Sequence, residues 1–237
     1  MVSIVIPAYN EEKALPHTLR ELFTQSGDYE VLVIDGGSTD RTRAVLHDFG
    51  FSEHPSPLTP HPSRALLTAP KGRGSQMNAG AAAASGNWLL FLHADTVLPT
   101  GAIERLNDME VDGTVQAGGF MHRFSGNDWR LNLISFLDNF RCTRSRIIYG
   151  DQALFVRREL FQRLGGFPDV PILEDVALCD RLIRVTEPRL LALAVVTDSR
   201  KFVQMGIWRS FARVLAIILH VEWGLPILPQ GFFQDIR

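Results

Sequence analysis

Three short apolar runs in the chain each stop at acidic side chains. They are residues 31–34 before Asp35, residues 88–92 before His93 and Asp95, and residues 171–173 before Glu174 and Asp175. Short buried runs of this kind predict central parallel strands that carry side chains to the carboxyl edge of a sheet, where open α/β sheets bind ligands. Several carboxylates at one edge repel each other unless a cation or a proton lies among them. We therefore expect metal-assisted chemistry on a phosphorylated substrate at this edge.

His93 and Asp95 are the residues best placed to hold the metal ion. Residues two apart at a strand end point to the same side of the sheet, so both side chains can reach one cation. A carboxylate favours Mg²⁺ or Mn²⁺, and the imidazole moves the preference toward Mn²⁺. The alternative is a capped strand end with a buried histidine, which explains the polar Asp95-Thr96 pair less well.

Two turns supply further candidate residues. Asp35 precedes Gly-Gly-Ser-Thr-Asp, where its carboxylate either accepts a hydrogen bond from a base or ribose or belongs to a tight turn with a helix cap. Lys71 and Arg73 precede the next predicted helix, and cations beside a helix N-terminus suit a diphosphate. The alternative is a solvated basic loop. A dinucleotide fingerprint is incomplete here, because Met77 stands where its third glycine belongs.

Glu174 and Asp175 begin another predicted helix. Acidic residues are common in a first helical turn because they offset the helix dipole, and that alone explains an isolated pair. The glycine-rich turn at residues 165–168 indicates instead that a carboxylate is held in a fixed position. Such a carboxylate can act as a general base.

The elements that carry these residues alternate as strand and helix, which predicts an α/β fold with a parallel sheet and right-handed crossovers. The predicted strands are residues 2–6, 29–34, 64–69 and 88–92. The predicted helices are one capped by Asn10 with Leu15, Leu19 and Leu22 on one face, then residues 39–49, and a small-residue helix at 74–84. After about residue 113 the rhythm becomes irregular, as expected for a substrate-specific half.

Two segments carry weaker signals. Four prolines in residues 50–63 predict a surface loop with His54 and His61 in solvent, a metal role being the less favoured alternative. A predicted helix near the C-terminus has an apolar stripe formed by Phe211, Val214, Leu215, Ile218 and Leu219. We expect this stripe to pack in the core, and the alternative is a helix that lies on a membrane surface.

The composition narrows the class of protein. The chain has 237 residues, 46% of them hydrophobic, so it can bury a large core. With 24 basic and 26 acidic residues its net charge is -2, and no nucleic-acid partner is expected. Cys142 and Cys179 match no metal spacing and are expected to be buried thiols. Met1 leads into a strand without a basic leader, and no apolar run reaches about 18 residues, which favours a cytoplasmic location.

Together, these motifs resemble the family 2 glycosyltransferases, which have the GT-A fold. The matching segments are residues 2–12, 33–40, 78–80, 91–95, 165–167 and 174–175. The resemblance implies a Rossmann-like, mainly parallel central sheet flanked by helices, with a C-terminal helical segment. It implies a single domain in which residues 1–112 bind a nucleotide-sugar and residues 113–237 bind an acceptor. The His-Ala-Asp variant of the usual D-x-D motif resembles a small bacterial subgroup.

The resemblance also implies roles for the candidate residues. Pro7, Tyr9 and Glu11 would line the nucleotide pocket, and Asp35 would recognise the base, often uracil. Lys71 and Arg73 would hold phosphate, and Asp95 with His93 would bind Mn²⁺ or Mg²⁺. Asp175 would be the catalytic base of an inverting enzyme, and Glu174 would either support it or contact the acceptor. Asp151 and Gln152 would face the sugar or acceptor. The reaction would move a hexose from a nucleotide-diphosphate sugar to an acceptor hydroxyl.

Two other functions stay open. A nucleotidyltransferase uses a similar core but needs a glycine-rich, lysine-bearing loop after the first strand, where this chain has Pro7-Ala8-Tyr9-Asn10. A catalytically silent nucleotide-sugar-binding module has no need of both Asp95 and Asp175. The residues leave the acceptor and the oligomeric state open, and peripheral contact with the inner face of a membrane is an alternative to a purely cytoplasmic location.

Overall fold

One large sheet organises the chain. The computed structural model describes residues 1–53, 63–170, 173–221 and 224–225. Within them the strands are β1 (Val2–Ala8), β2 (Tyr29–Asp35), β3 (Arg64–Thr68), β4 (Trp88–Phe91), β5 (Thr96–Val97), β6 (Ala117–Phe124), β7 (Phe155–Arg157) and β8 (Arg189–Thr197). Their order in the sheet is β3-β2-β1-β4-β7-β6-β8-β5.

Helices cover both faces of this sheet. The described helices are α1 (Leu15–Leu22), α2 (Thr42–Asp48), α3 (Arg73–Ala83), α4 (Ala102–Asp112), α5 (Trp129–Ser145), α6 (Arg158–Arg163), α7 (Glu174–Leu182), α8 (Arg200–Gln204) and α9 (Ile207–Val221), with a 3₁₀ helix at Gly150–Gln152. Two large apolar clusters result, which share the strands between them. The predicted α/β architecture is confirmed.

The first four strands in sequence form the parallel half of the sheet. β1 pairs in parallel with β2 on one side and with β4 on the other, and β2 pairs in parallel with β3. Every side chain of β1 and β4 is buried, which explains why these runs are apolar throughout instead of alternating. Ala8 at the end of β1 lies opposite Asp35 at the end of β2, so both strands end at one edge.

Helix α3 lies directly on these strands because its residues are small. A β-carbon added at Gly80 would stand 2.5 Å from Val5 Cγ1 and 2.6 Å from Ile34 Cδ1, so a larger residue would push the helix off the sheet. Near the start of α3, the Gln76 amide donates hydrogen bonds to the carbonyls of Ala8 and Ile34. These contacts hold the N-terminus of α3 at the edge where β1 ends.

The first two helices start later than predicted. Asn10 does not cap α1: its φ is 55°, and its Oδ1 accepts a hydrogen bond from Thr39 N at 2.9 Å. Asn10 thus ties the loop after β1 to the loop after β2, and α1 begins at Leu15. The second helix begins at Thr42, because Asp40 Oδ1 accepts from Thr42 N at 2.9 Å and keeps the preceding residues in a turn.

The second half of the chain completes the sheet with mixed pairing. β7 is antiparallel to β4 and β6, β6 is parallel to β8, and β8 is antiparallel to β5. The prediction of a strand at residues 171–173, ending at Glu174, is wrong at Leu173, the one of these residues that the structure describes. Leu173 has a left-handed φ of 60° and precedes α7, while residues 171 and 172 lie outside the described part. The start of a helix therefore delivers the acidic pair.

Helix α9 is not the core helix that its apolar stripe predicts. Among its described side chains, Ile207 and Ser210 are buried, Leu215 is exposed, and the other stripe residues are half-buried. The stripe therefore faces partly outward. No helix in the described part of the chain is long and apolar enough to cross a membrane.

The remaining expectations concern single residues away from the sheet edge. Cys142 and Cys179 are buried free thiols, as predicted. Burial raises the pKa of Cys142 to about 11, so its thiol stays protonated at neutral pH. His54 and His61, expected in a surface loop, lie outside the residues that the structure describes.

Candidate active site

Two adjoining cavities lie at the edge where β1 and β4 end. The first has a volume of about 340 Å³, and the predicted site residues in its lining are Pro7, Tyr9, Glu11, Lys71, Arg73, His93, Asp95 and Glu174. The second, also of about 340 Å³, is lined by Asp151 and Asp175. Arg73, His93 and Asp95 line both cavities and form the junction between them.

Two carboxylates face a lysine in the first cavity. Lys201 Nζ, on α8, lies 3.5 Å from Glu11 Oε1 and 3.9 Å from Asp95 Oδ2. Burial raises the pKa of Glu11, with Asp95 adding to the effect and Lys201 opposing it. A hydrogen bond of 3.1 Å from Asp198 N to Asp95 O holds the turn before α8 at this place. The ammonium thus lies where a cation shared by the two carboxylates would lie.

Arg73 connects His93 with Glu174. Its Nε lies 3.3 Å from Glu174 Oε1, and its Nη1 lies 3.5 Å from His93 Nε2. Burial, with repulsion from Arg73, lowers the pKa of His93 to about 3, although Asp175 opposes the shift. His93 is therefore a neutral imidazole at neutral pH, which can accept a hydrogen bond or bind a metal ion.

Lys71 is the other predicted phosphate-binding cation. Its Nζ lies 4.0 Å from the centre of the Tyr9 ring, which is the geometry of a cation–π contact. Lys71 and Arg73 both line the first cavity. Each cationic group contacts a neighbouring side chain, the Tyr9 ring for Lys71 and the Glu174 carboxylate for Arg73. The structure brings these cations together with the predicted nucleotide-pocket residues.

Backbone donors hold the Asp175 carboxylate at the second cavity. Asp175 Oδ2 accepts from Gly150 N at 2.6 Å, and Oδ1 accepts from Val176 N at 2.8 Å. A β-carbon at Gly150 would stand 2.5 Å from His93 Nε2 and 3.3 Å from Asp175 Oδ2, so glycine alone permits this approach. Helix α9 supplies the apolar part of the lining, namely Val214, Ile217 and Ile218.

The neighbouring acids Glu174 and Asp175 line different cavities. Glu174 is buried and lines the first cavity, where it pairs with Arg73. Asp175 is half-buried and lines the second. Successive residues of a helix point about 100° apart, which separates the two side chains.

Asp151 and Gln152, both expected to face a sugar or acceptor, are placed differently. Asp151 lines the second cavity, and its Oδ2 lies 3.8 Å from His122 Nε2. Burial raises the pKa of Asp151 to about 6, with His122 opposing the shift and nearby carboxylates adding to it. Gln152 is buried and lines neither cavity; its Oε1 accepts from Tyr149 N at 3.0 Å and shapes the 3₁₀ turn.

Asp35 lies behind the cavities and not in their lining. It is buried, its Oδ2 pairs with Arg43 Nη1 at 3.0 Å, and its Oδ1 accepts from Ser38 N at 3.1 Å. Burial alone would raise the pKa of Asp35, but the hydrogen bonds from Ser38 and Arg43 outweigh it and lower the pKa. The carboxylate stabilises the glycine turn, and its recognition of a base stays a prediction.

Sequence reasoning missed Lys201 and Ile217, and it assigned Val214 and Ile218 of α9 to the core and not to a cavity. Lys201 is one lysine of a short helix far along the chain from Asp95, and no motif surrounds it. The feature that brings Lys201 to the cavity is the pairing of β8 with β5, in which Thr197 lies opposite Thr96, the residue after Asp95. That pairing is a long-range contact without a local pattern.

Asp95, Glu11 and His93 are the candidate metal ligands. In the described part of the chain, no group of three or more His, Cys, Asp or Glu side chains is arranged to hold a metal ion. In phosphate-binding sites, however, Mg²⁺ commonly takes only one or two carboxylates from the protein and the other ligands from phosphate and water. The two carboxylates therefore fit a cation that binds together with a diphosphate.

Comparison with known sequences identifies the relatives of the chain. The model of glycosyl transferase family 2 matches residues 3–165. An uncharacterized glycosyltransferase of Nostoc sp. is 32% identical over 131 residues, which cover 54% of this chain and 38% of that protein. A PGL/p-HBAD biosynthesis glycosyltransferase of Mycobacterium bovis is 30% identical over 180 residues, covering 70% of this chain and 63% of that protein. The chain thus spans less than two thirds of the length of either relative.

Solved structures share the fold at lower identity. A mannosyltransferase from Pyrobaculum calidifontis in complex with GDP-Man and Mn²⁺ has a TM-score of 0.66 and 22% identity, covering 98% of this chain and 68% of that one. Glucosyl-3-phosphoglycerate synthase from Mycobacterium tuberculosis, in complex with Mn²⁺, UDP and glucosyl-3-phosphoglycerate, has a TM-score of 0.60 and 19% identity, covering 98% and 82%. The predicted GT-A architecture is confirmed by these neighbours.

Proposed function

The chain belongs to glycosyl transferase family 2, and on this basis we propose that it is an inverting glycosyltransferase that uses a nucleoside diphosphate sugar. One observation carries the proposal: Asp175 lines the second cavity, while Asp95 and Arg73 line both. A donor with its diphosphate in the first cavity would place its sugar at the junction. An acceptor hydroxyl in the second cavity would then lie between Asp175 and the anomeric carbon.

The two halves of the single domain would divide the substrates between them. Residues 1–112 supply most of the lining of the first cavity, and residues 113–237 supply most of the lining of the second. Glu174 and Lys201 are exceptions, because they come from the second half and line the first cavity. These two residues would link acceptor binding to the donor site.

In the proposed reaction Asp175 is the base. The acceptor oxygen bonds to the anomeric carbon from the face opposite the leaving group, and the bond from that carbon to the diphosphate oxygen breaks. The acceptor proton passes to a carboxylate oxygen of Asp175. Gly150 N and Val176 N hold this carboxylate in place by hydrogen bonds, which limits the entropy lost when the acceptor binds.

Cations of the first cavity would stabilise the leaving diphosphate. Lys71, Arg73 and Lys201 all line that cavity, and positive charge placed in advance near a developing negative charge lowers the barrier. Each of these side chains would exchange its present neighbour for a phosphate oxygen. Glu174 would keep Arg73 in position before that exchange.

Asp95 would hold a divalent metal, with Glu11 and His93 beside it. Bound Mn²⁺ or Mg²⁺ neutralises charge on a leaving diphosphate. The two neighbours solved with Mn²⁺ and either GDP-Man or UDP support this assignment. Because His93 is neutral where the usual motif has an aspartate, we expect the metal to bind weakly without a nucleotide.

A thermal-shift screen with UDP, GDP and their sugars, each with and without Mn²⁺ or Mg²⁺, tests the proposal. A ligand that binds only the folded state raises the melting temperature by mass action. We expect a metal-dependent shift that Asp95→Ala removes. Asp175→Asn should keep the shift but lose transfer, measured as release of nucleoside diphosphate in the presence of acceptor mixtures.

Three results would contradict the proposal. Nucleotide binding without donor turnover under any acceptor would identify a silent binding module. Release of pyrophosphate from a nucleoside triphosphate and a sugar phosphate would identify a nucleotidyltransferase. Full transfer by Asp175→Asn would place the base elsewhere.

A further inference from the structure

We propose that α5 and the α8–α9 segment form a surface that docks onto an anionic membrane. Helix α5 buries one face against the protein but exposes large apolar side chains on another. Trp129 and Phe136 are each 65% exposed, and Phe140 is 52% exposed. With Leu133 and Leu137 they recur every three or four residues, which places them on one stripe. An apolar stripe of this kind on the outer side of a helix is typical of a surface that contacts a partner.

The stripe continues onto the C-terminal helices. The Trp208 ring lies 6.2 Å from the Trp129 ring, centre to centre, and Trp208 is 48% exposed. Met205 and Leu215 are exposed as well. We call this set the aromatic surface: Trp129, Leu133, Phe136, Leu137, Phe140, Met205, Trp208 and Leu215. Monomeric soluble proteins rarely expose contiguous apolar patches of this kind, and tryptophan is enriched at membrane–water interfaces.

Charge selects a membrane as the partner. The exposed Arg209 follows Trp208 directly on α9. Arg200 and Lys201 of α8 are already paired, with Asp198 and with the carboxylates of the first cavity. The exposed Arg144 lies 5.2 Å from the centre of the Phe140 ring. Basic side chains beside exposed rings suit anionic headgroups, which attract the cations while the rings enter the interface.

Helix α9 contributes to both the aromatic surface and the second cavity. Val214, Ile217 and Ile218, from the same helix as Trp208, line that cavity together with Asp175. An acceptor anchored in the bilayer could therefore reach the cavity from the docked face. This last step rests on the proposed function, whereas docking itself does not.

Flotation with lipid vesicles tests the docking. The full chain is mixed, without nucleotide, with vesicles of phosphatidylcholine alone or with about 30% phosphatidylglycerol, at low and at high salt. We expect binding to the anionic vesicles that salt weakens. Phe136→Ser with Trp208→Ser should reduce binding roughly tenfold or more. The matched control is Val170→Ser with Ile183→Ser, two exposed apolar residues outside α5, α8 and α9, which should bind as the wild type does.

The double variant Arg144→Gln with Arg209→Gln measures the electrostatic contribution to vesicle binding. This variant should lose most of the preference for phosphatidylglycerol and keep the weaker binding to phosphatidylcholine. A nucleotide thermal shift on every variant checks that the fold and the first cavity are intact. A failed shift with intact vesicle binding would count against the proposed function and not against docking.

Each other outcome overturns the docking proposal. Absence of vesicle binding by the wild type refutes it directly. Equal binding by wild type and the Phe136/Trp208 variant would place the contact elsewhere. A dimer that the Phe136→Ser and Trp208→Ser changes dissociate, without vesicle binding, would assign the aromatic surface to a second copy. Vesicle binding that appears only after removal of residues 226–237 would show that these residues, and not a membrane, are the partner of the aromatic surface.

Discussion

Replacing Lys201 with methionine should strengthen metal binding and weaken metal-free nucleotide binding. The Lys201 ammonium lies 3.5 Å from Glu11 Oε1 and 3.9 Å from Asp95 Oδ2, the oxygens that would hold a cation. Methionine keeps most of the length of the side chain and removes its charge. A divalent metal is repelled by the ammonium, whereas a diphosphate is attracted to it, so one substitution should move the two affinities in opposite directions.

The size of each effect follows from the distances and the exposure. Two unit charges about 4 Å apart interact by about 1 kcal/mol in water, which is the relevant medium because the Lys201 side chain is 72% exposed. A divalent cation doubles the repulsion to about 2 kcal/mol, or roughly 30-fold in affinity. Because the lysine can swing into solvent, we expect a gain of about 3- to 30-fold for Mn²⁺. For UDP without metal, loss of about 1 kcal/mol corresponds to roughly fivefold weaker binding.

Calorimetric titration measures both affinities directly. Mn²⁺ is titrated into the protein alone, and UDP is titrated in the presence of a chelator. The control is Lys13→Met, an exposed lysine that lines a neighbouring cavity together with Lys201. An unchanged Mn²⁺ affinity in Lys201→Met would refute the reasoning. Equal loss of both affinities would show that the lysine only holds α8 in place.

Three further predictions follow from single residues. Gly150→Ala should lower kcat/KM for transfer roughly tenfold or more, because the new methyl group collides with His93 Nε2 at 2.5 Å and lies 3.3 Å from Asp175 Oδ2, while metal-free UDP binding changes little. Asp35→Asn should lower the free energy of unfolding at neutral pH by about 1–3 kcal/mol, because it removes the charged partner of Arg43. The pKa of Asp35 is lowered in the folded state. The stabilisation by the ionised carboxylate is therefore present above the unfolded pKa of about 3.9 and is lost as the pH falls through the folded value. Urea unfolding of both proteins at several pH values measures this loss. Asp151→Asn should raise the melting temperature above about pH 7 and leave it unchanged near pH 4, because burial raises the pKa of Asp151 to about 6 and ionisation then opposes folding.

The parallel half of the fold could be predicted because its signals are local. The strands β1 and β4 are continuous buried runs, and β2 is buried at all but one position. The small residues of α3 predict its close contact with the sheet, which Gly80 makes. Polar side chains at the ends of β1 and β4 then had to meet at one edge, as Tyr9, Glu11 and Asp95 do. The start of α1 was predicted wrongly because the Asn10 amide bonds to another loop, a contact that no local pattern reveals.

The second half was less predictable because its function depends on contacts between distant segments. Asp175 was placed correctly at the start of a helix, but that helix directs Glu174 to a different cavity. Gln152 has the same local surroundings in sequence as Asp151, yet it is buried and shapes a turn. The stripe of α9 gives the same pattern whether it faces a core, a cavity or a membrane. Only the structure, in which Leu215 is exposed, separates these cases.

The charge balance of the first cavity would couple the proposed metal and the proposed diphosphate without a preformed metal cage. Its charged lining comprises three acids, Glu11, Asp95 and Glu174, and three bases, Lys71, Arg73 and Lys201. Arg73 lies beside Glu174, and Lys201 lies beside Glu11 and Asp95. A diphosphate that draws these cations away leaves carboxylates without their partners, and a divalent metal can then take the place of Lys201. Each ligand therefore lowers the cost of binding the other, and this coupling must act equally in both directions. We expect Mn²⁺ to tighten UDP binding by the same factor as UDP tightens Mn²⁺ binding, and Lys201→Met to reduce that factor because the methionine variant starts with the carboxylates already free of the lysine.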